Sequence, residues 1–290
     1  TKTKIFMKTI FNPSGWLFII AVLTIGFTSC NKDNLRDNAE TIAAQNFNAA
    51  EVEDDNTQIM ADQAESEGDV NLRMSPVDNS AVDLITSCAI VTRDTVSTPR
   101  TITIDFGTGC TNANGVTRKG KIIATYTGRY RDAGTVVHIV SENYYVNDNK
   151  VDIDRTVTNQ GTNDNGNLVF SIQAVRTLTF PDGSTSSSTV DKTREWVEGA
   201  STPRDFTDDV YKVTGTGTHT SKRGILYDAT TVTPLIRKVS CHQFVSGQAK
   251  IVRHGATDRF GVIDFGNGDC DDVATVTLDN GRAYSINLRH

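Results

Sequence analysis

The chain is poor in the residues that usually announce chemistry. Its 290 residues include five His, five Cys, three Met and two Trp. None of the histidines (His138, His219, His242, His254 and His290) stands in an H-x-x-x-H or H-E-x-x-H spacing, so no helix-borne zinc site is expected. No C-x₂₋₄-C pair and no G-x-S-x-G turn is present, which removes the zinc ribbon and the strained nucleophile elbow. Positive charge is also scarce, with 29 Lys and Arg against 35 Asp and Glu and a net charge of −6. The one basic cluster, Arg118-Lys119-Gly120-Lys121, is too short to track a phosphate backbone, so nucleic acid is not an expected partner. Long apolar runs are missing with one exception, roughly Trp16 to Phe27, which is shorter than the ~20 residues a membrane-spanning helix needs.

That exception carries information. Lys2, Lys4 and Lys8 precede it, and Thr28-Ser29-Cys30 follows it. A basic start, a short apolar stretch, small residues and then Cys form a bacterial lipoprotein signal. The expectation is cleavage before Cys30, acylation of Cys30 with fatty chains such as palmitate, and attachment to a membrane through that lipid. Residues 1–29 are then signal peptide. Two or more acyl chains on one Cys hold stably, whereas a single chain binds only marginally.

With Cys30 committed to lipid, Cys88, Cys110, Cys241 and Cys270 remain. An even remainder in an exported chain reads as two disulfides, and four Cys allow three connectivities. An internal repeat selects one of them. Ser87-Cys88 leads to Ile104-Asp105-Phe106-Gly107-Thr108-Gly109-Cys110, and Ser240-Cys241 leads to Ile263-Asp264-Phe265-Gly266-Asn267-Gly268-Asp269-Cys270. Each module is Cys, a hairpin's length of chain, then IDFG-x-G and a second Cys, which predicts Cys88–Cys110 and Cys241–Cys270. The Asp-Phe-Gly triplets are shared with a kinase motif, but no glycine-rich phosphate loop or catalytic loop accompanies them. Their glycines are expected in tight turns.

Residues 30–80 are polar and acidic, and read as a lipid-anchored tether. Asn48 to Glu67 carries a thin apolar stripe of Val52, Ile59, Met60 and Ala64, so the tether is expected to be partly helical or disordered. From Ala81 the composition turns to Thr, Val, Ser and Gly with regular turn punctuation, the pattern of antiparallel β-structure. Leu168 to Phe180 alternates Leu168, Phe170, Ile172, Ala174, Arg176, Leu178 and Phe180 with polar residues, which predicts one buried and one wet face. Pro181-Asp182-Gly183-Ser184, Asn163-Asp164-Asn165-Gly166 and Asp279-Asn280-Gly281 are hairpin turns by composition. Short connections make sequence neighbours sheet neighbours. The expectation for 81–290 is therefore one disulfide-bonded, all-β domain: a large antiparallel meander forming a sandwich or a partly open barrel. A division near Pro203 or Pro234 is the alternative.

The permissive lipobox followed by Lys32-Asp33, the duplicated Cys…IDFG-x-G-x-C modules, and the runs Thr193-Arg194-Glu195-Trp196 and Pro234-Leu235-Ile236-Arg237-Lys238 resemble an outer-membrane lipoprotein family of the Bacteroidota without assigned function. The resemblance implies an outer-membrane location, and a charged motif behind the lipidated Cys is associated in that group with transfer to the cell surface. It implies no activity.

Candidate ligand contacts are few. Tyr130 (between Arg129 and Arg131), Tyr145 and Trp196 are the aromatics to consider for an exposed sugar platform, although for Trp196 anchoring a strand against the sheet is the leading expectation. The pairs Asp152/Asp154 and Asp208/Asp209 are the carboxylates to consider for hydrolysis, and Asp269-Cys270-Asp271-Asp272 is an oxygen-rich loop to consider for calcium. Asp152 and Asp154 share one strand face instead of facing across a cleft, and no EF-hand spacing accompanies the loop. No cofactor and no metal is expected. The leading expectation is a non-catalytic, surface-exposed binding or scaffold domain with a glycan or envelope-protein ligand. The alternatives are a periplasm-facing carrier of lipid or lipoprotein and a polysaccharide hydrolase.

Overall fold

The computed structural model describes residues 30–66, 88–112, 115–202 and 205–288. The expected signal peptide, the remainder of the tether, the break at Pro203 and His290 lie outside these residues. Helix α1 (Cys30–Ser66) is followed by β1 (Ile90–Asp94), β2 (Arg100–Asp105), the short β3 (Cys110–Thr111), β4 (Thr117–Tyr126), β5 (Val136–Val146), β6 (Asn149–Thr162) and β7 (Leu168–Thr179). Then come β8 (Thr185–Glu198), β9 (Val210–Thr220), β10 (Leu226–Lys238), β11 (Phe244–Arg253), β12 (Arg259–Asn267), β13 (Val273–Leu278) and β14 (Ala283–Asn287).

All fourteen strands form one antiparallel sheet in chain order, with β3 set beside β2 along the same edge of β4. Most connections are two to five residues, and a turn that short returns the chain antiparallel to the strand it has left; the β4–β5 and β8–β9 connections are longer but keep the same order. β1 and β14 do not pair, so the sheet is not closed into a barrel. The expected alternation is present throughout. In β6, Val151, Ile153, Arg155 and Val157 are buried while Asp152, Asp154, Thr156 and Thr158 face outward. Phe170, Ile172 and Ala174 continue the buried face on β7.

The duplicated modules perform the same local task at the two arms of the sheet. Cys88 is bonded to Cys110 and Cys241 to Cys270, as the repeat predicts. In each IDFG, Ile104 or Ile263 and Phe106 or Phe265 point inward and are buried. The Asp between them points outward and caps the turn: Asp105 Oδ1 accepts from Gly107 N at 2.8 Å, and Asp264 Oδ1 from Gly266 N at 2.9 Å. Gly107 and Gly266 adopt φ of 59° and 93°, where a side chain would strain the backbone.

One irregularity reverses the alternation. Gly120, at φ 84°, is pressed against β5 so closely that a Cβ would lie 1.9 Å from the Asn143 carbonyl oxygen. Asn143 is itself at φ 46°, and the β4–β5 register shifts there. Val137 and Ile139 face inward before this bulge and Tyr144 after it, leaving Tyr145 half-buried on the other side.

The sheet is bent around α1, and this changes the expected division at residue 80. Along the first part of the helix a single stripe is buried, Glu40, Ala44, Asn48 and Glu51. From Thr57 to Asp62 every residue is buried. Six consecutive residues at 100° each exceed a full turn, so the helix is enclosed on all sides there. Asn48 Nδ2 donates to Gln243 Oε1 (3.0 Å) and to the Leu288 carbonyl (3.3 Å), while Tyr126 Oη donates to the Ala61 carbonyl at 2.8 Å and Arg93 Nε to the Ala64 carbonyl at 2.7 Å. The helix therefore runs from the β11–β14 arm to the β1–β4 arm. Residues 39–65 belong to the folded body and do not stand off from it as a spacer. The apolar stripe alone does not predict this packing, because more of the described residues that the helix buries are polar or charged than apolar.

Candidate functional site

The inner face of the sheet carries a cation on every second strand, and α1 answers each with a carboxylate. Arg118 on β4 meets Glu53 at 3.4 Å, Arg155 on β6 meets Asp54 at 3.0 Å, and Lys192 on β8 meets Glu51. Arg194, also on β8, meets Asp62 at 3.4 Å, and Arg237 on β10 meets Asp55 at 3.9 Å. Arg253 with Glu40 (3.6 Å) and Arg100 with Glu65 (3.3 Å) extend the pairing to the helix ends. Arg155 also donates to the Asp54 carbonyl at 2.9 Å and Arg176 to that of Ala50 at 3.2 Å.

Burial and pairing pull the carboxylates in opposite directions. Burial pushes Asp54 up, but Arg155, Lys192 and Arg176 together outweigh it and hold the group below its ordinary value. For Glu51 burial prevails over Lys192 and the value is raised. Asp62 is raised by burial to about 6, although Arg194 opposes the shift. Burial pushes Arg194 down, but Tyr130, Tyr211, Asp62 and Asp55 together outweigh it, so Arg194 is shifted upward and stays cationic. A guanidinium spread over four partners stabilises each one less than a dedicated partner would. Asp209 has no cation at all: it accepts from Trp196 Nε1 at 3.0 Å and Tyr211 Oη at 3.1 Å, and burial raises it to about 7.

Of the aromatics considered as ligand contacts, Trp196 takes the core position that is its leading expectation, and Tyr130 is buried as well. Tyr130 and Trp196 are core residues, 4% and 3% exposed. Tyr130 stacks on Phe170 with ring centroids 4.7 Å apart and receives a hydrogen bond from Arg194. Trp196 lies beneath the Arg131 guanidinium, 4.4 Å from its ring centroid. Inward register on β8 places Trp196 inside, and the β4–β5 connection folds Tyr130 back onto Phe170, so neither forms a surface platform. Tyr145 alone is partly exposed, and the Lys119 ammonium covers it at 4.4 Å.

The expected carboxylates do not converge on a reaction centre. Asp152 is held by Lys150 at 2.5 Å, and Asp154 faces His138 Nε2 at 2.8 Å. Asp208 accepts from Thr202 Oγ1 at 2.7 Å, away from the buried Asp209 pair of donors. Among the described residues no group of three or more His, Cys, Asp or Glu is arranged to hold a metal, the Asp269–Asp272 loop included.

The outward face across β6 to β10 does form a site, an open groove of ≈ 620 Å³. Strand register builds it from two parallel rows. One row is Thr156, Gln173, Asp191, Thr216 and Thr230, and the next is Asp154, Val175, Thr189, Thr218 and Asp228. The alternating Thr-Gly sequence of β9 explains its middle: Thr216 and Thr218 point outward, while a Cβ on Gly215 would lie 2.3 Å from the Asp191 carbonyl oxygen. Glycine lets β9 press onto β8 and deepens the bend.

The two rows differ in how they are satisfied. In the second, Asp154 faces His138, Thr189 and Thr218 share a hydrogen bond at 2.6 Å, and Asp228 faces His254 Nε2 at 2.8 Å. His254 Nδ1 also faces Asp258 at 3.2 Å, and the hydrogen bond to Asp228, more than that to Asp258, raises its pKa. In the first row, Gln173, Asp191, Thr216 and Thr230 are exposed, and their side chains make no hydrogen bond among the described residues. The groove thus presents an amide, a carboxylate and two hydroxyls to solvent, with the Val175 side chain, 53% exposed, beside them. Alternation alone shows that these residues face outward. Their assembly into a groove depends on the bend of the sheet, for which a single sequence carries no signal.

No protein-family model, curated protein or solved structure matches the chain.

Proposed function

We propose that the chain is a non-catalytic binding protein of the cell envelope, anchored through lipid on Cys30 at the outer membrane and facing outward, and that a glycan strand lies in the β6–β10 groove. The observation that carries this reading is the unpaired row Gln173, Asp191, Thr216 and Thr230. Sugars present hydroxyls that both donate and accept, and an amide, a carboxylate and threonine hydroxyls match them in both senses. Val175 and the threonine methyls offer apolar contact to the sugar ring. A row spanning five strands at ~4.8 Å each extends about 19 Å, long enough for several sugar units.

Two observations weigh against the alternatives. The cavity between α1 and the sheet near Phe47 is ≈ 30 Å³, room for about one water molecule and far short of an acyl chain. Two of the groove's three carboxylates, Asp154 and Asp228, are engaged by His138 and His254, which leaves Asp191 alone, whereas glycoside hydrolysis needs a pair of acids.

The test is titration of envelope polysaccharides and their oligosaccharides by calorimetry, comparing wild type with Gln173→Ala/Asp191→Ala. Binding that weakens tenfold or more in the variant is expected. A ligand bound equally well by both proteins would place recognition elsewhere. Protease shaving of intact cells, with disrupted cells as control, tests the location. Peptides from 88–288 released from intact cells are expected, and release only after the envelope is breached would refute the outward-facing reading.

A further inference from the structure

The charged interior has a consequence independent of the groove. We propose that the cation-lined inner trough is a docking site for acidic helices, and that α1 is an exchangeable occupant which a second copy of this chain can supply.

Three observations converge on it. The first is the nature of the contact. Among the described residues, α1 fully buries two large apolar side chains, Ile59 and Met60, with Phe47 partly buried, while Glu51, Asp54, Asp55 and Asp62 are buried against Lys192, Arg155, Arg237 and Arg194. A surface that recognises its occupant through carboxylates accepts any helix that presents them at the same spacing, and the same helix from another copy does so by identity.

The second is unused donor capacity. Nη1 of Arg118, Nε of Arg155, and both Nε and Nη1 of Arg194 and Arg237 are buried and meet no acceptor. These four side chains are 1–3% exposed and point at the helix. The trough therefore offers more directed N–H groups than α1 fills, as expected of a surface selective for acidic helices without being fitted to one arrangement.

The third is the way α1 is attached. Neither disulfide includes a residue of α1: Cys88, just before β1, is bonded to Cys110 on β3, and Cys241, in the turn after β10, to Cys270 between β12 and β13. The only covalent route from α1 to the sheet is the chain between Ser66 and Ile90. That length of chain extends to roughly 75 Å at most, more than the ~55 Å length of a 37-residue helix. A helix can thus enter a neighbour's trough while its own sheet stays intact. Simple release is disfavoured, because it would bare Ile122, Tyr126, Ile139 and Phe170. Exchange keeps every contact and changes only which chain supplies it.

The test uses charge reversal in two chains. One carries Glu51→Lys/Asp54→Lys in the helix, the other Arg155→Glu/Lys192→Glu in the trough, and a third carries all four substitutions. Light scattering after size exclusion is expected to show a two-chain species when the first two are mixed and in neither alone, since each helix then matches the other's trough. If the four-substitution chain folds as a monomer and the mixture yields no two-chain species, the proposal is overturned. Should the four-substitution chain fail to fold, tagged and untagged wild-type chains are incubated together in denaturant just below the unfolding midpoint and returned to buffer. A mixed-mass pair that forms only after this step, seen by native mass spectrometry, supports exchange, and its absence overturns it.

Discussion

The two faces of one sheet solve opposite problems with neighbouring residues. Asp154 and Arg155 are adjacent on β6. The Asp154 side chain is 70% exposed and shares its charge with His138, while the Arg155 side chain is 1% exposed and holds Asp54 of α1. Outside, water solvates each group whether or not its partner is present. Inside, a charge is tolerable only while its partner is in place. The outer face is thereby free to vary and to bind, and the inner face is committed to the helix.

Breaking that contrast gives the largest expected effect. Arg155→Ala leaves buried Asp54 without its closest cation, with Lys192 at 3.8 Å and the field of Arg176 remaining, and is expected to lower stability by about 3–5 kcal/mol. Asp154→Ala on the same strand is expected to stay within about 0.5 kcal/mol. Urea unfolding of both variants measures the difference, and equal losses would mean that the interior pairs are no more critical than surface ones.

A second variant sharpens the distinction by attacking the point where inner and outer residues change places. Gly120→Ala forces a Cβ into the Asn143 carbonyl at a φ of 84°. The expected loss is about 2 kcal/mol, the range for strained left-handed positions, together with weakened near-ultraviolet circular dichroism from a displaced Tyr144. An unaltered midpoint would show that the β4–β5 bulge can relax at no cost.

The smallest of the three concerns protons. Asp209, raised to about 7 by burial, binds a proton in the folded state well above the pH at which the unfolded chain releases it. Protonation therefore favours folding, and this contribution is lost as pH rises through 7. Between pH 6 and 8 the loss is about 1.4 kcal/mol, one decade of linkage. Asp62, raised to about 6, adds a similar decline centred one unit lower. Asp54 and Glu195, the latter lowered to about 2 chiefly by its hydrogen bond with Lys212, act in reverse and destabilise the fold only when acid protonates them below their ordinary range. Maximum stability is thus expected at mildly acidic pH. Asp209→Asn should flatten the thermal midpoint between pH 6 and 8, and an unchanged slope would assign the titration to another group.

Much of the sheet was legible from period-two alternation and turn composition. The disulfide pairing was legible because the chain repeats Cys…IDFG-x-G-x-C, and the structure explains the motif: Ile and Phe face inward, Asp caps and Gly turns. Other features had no local signature. Alternation says that Arg155, Arg194 and Arg237 share a face with Val and Phe, but their acidic partners lie over a hundred residues away in a segment whose composition reads as a tether. Tyr144 and Tyr145 could be told apart only through the bulge at Asn143. Trp196 and Tyr130 carried the chemistry of a sugar platform, yet strand register turned Trp196 inward and the β4–β5 connection folded Tyr130 onto Phe170.

The position of α1 has a mechanical consequence. It touches both arms of an open sheet and so spans a seam that hydrogen bonds leave unsealed. A pull on residue 30 would act along the helix axis and load its contacts in shear, the Glu40 and Asn48 contacts with the β11–β14 arm first and the Asp62 and Glu65 contacts last. The strain would reach the outer groove only after the first of these contacts had given way, so under the proposed anchor at Cys30 the inner ion pairs would shield the groove from tension.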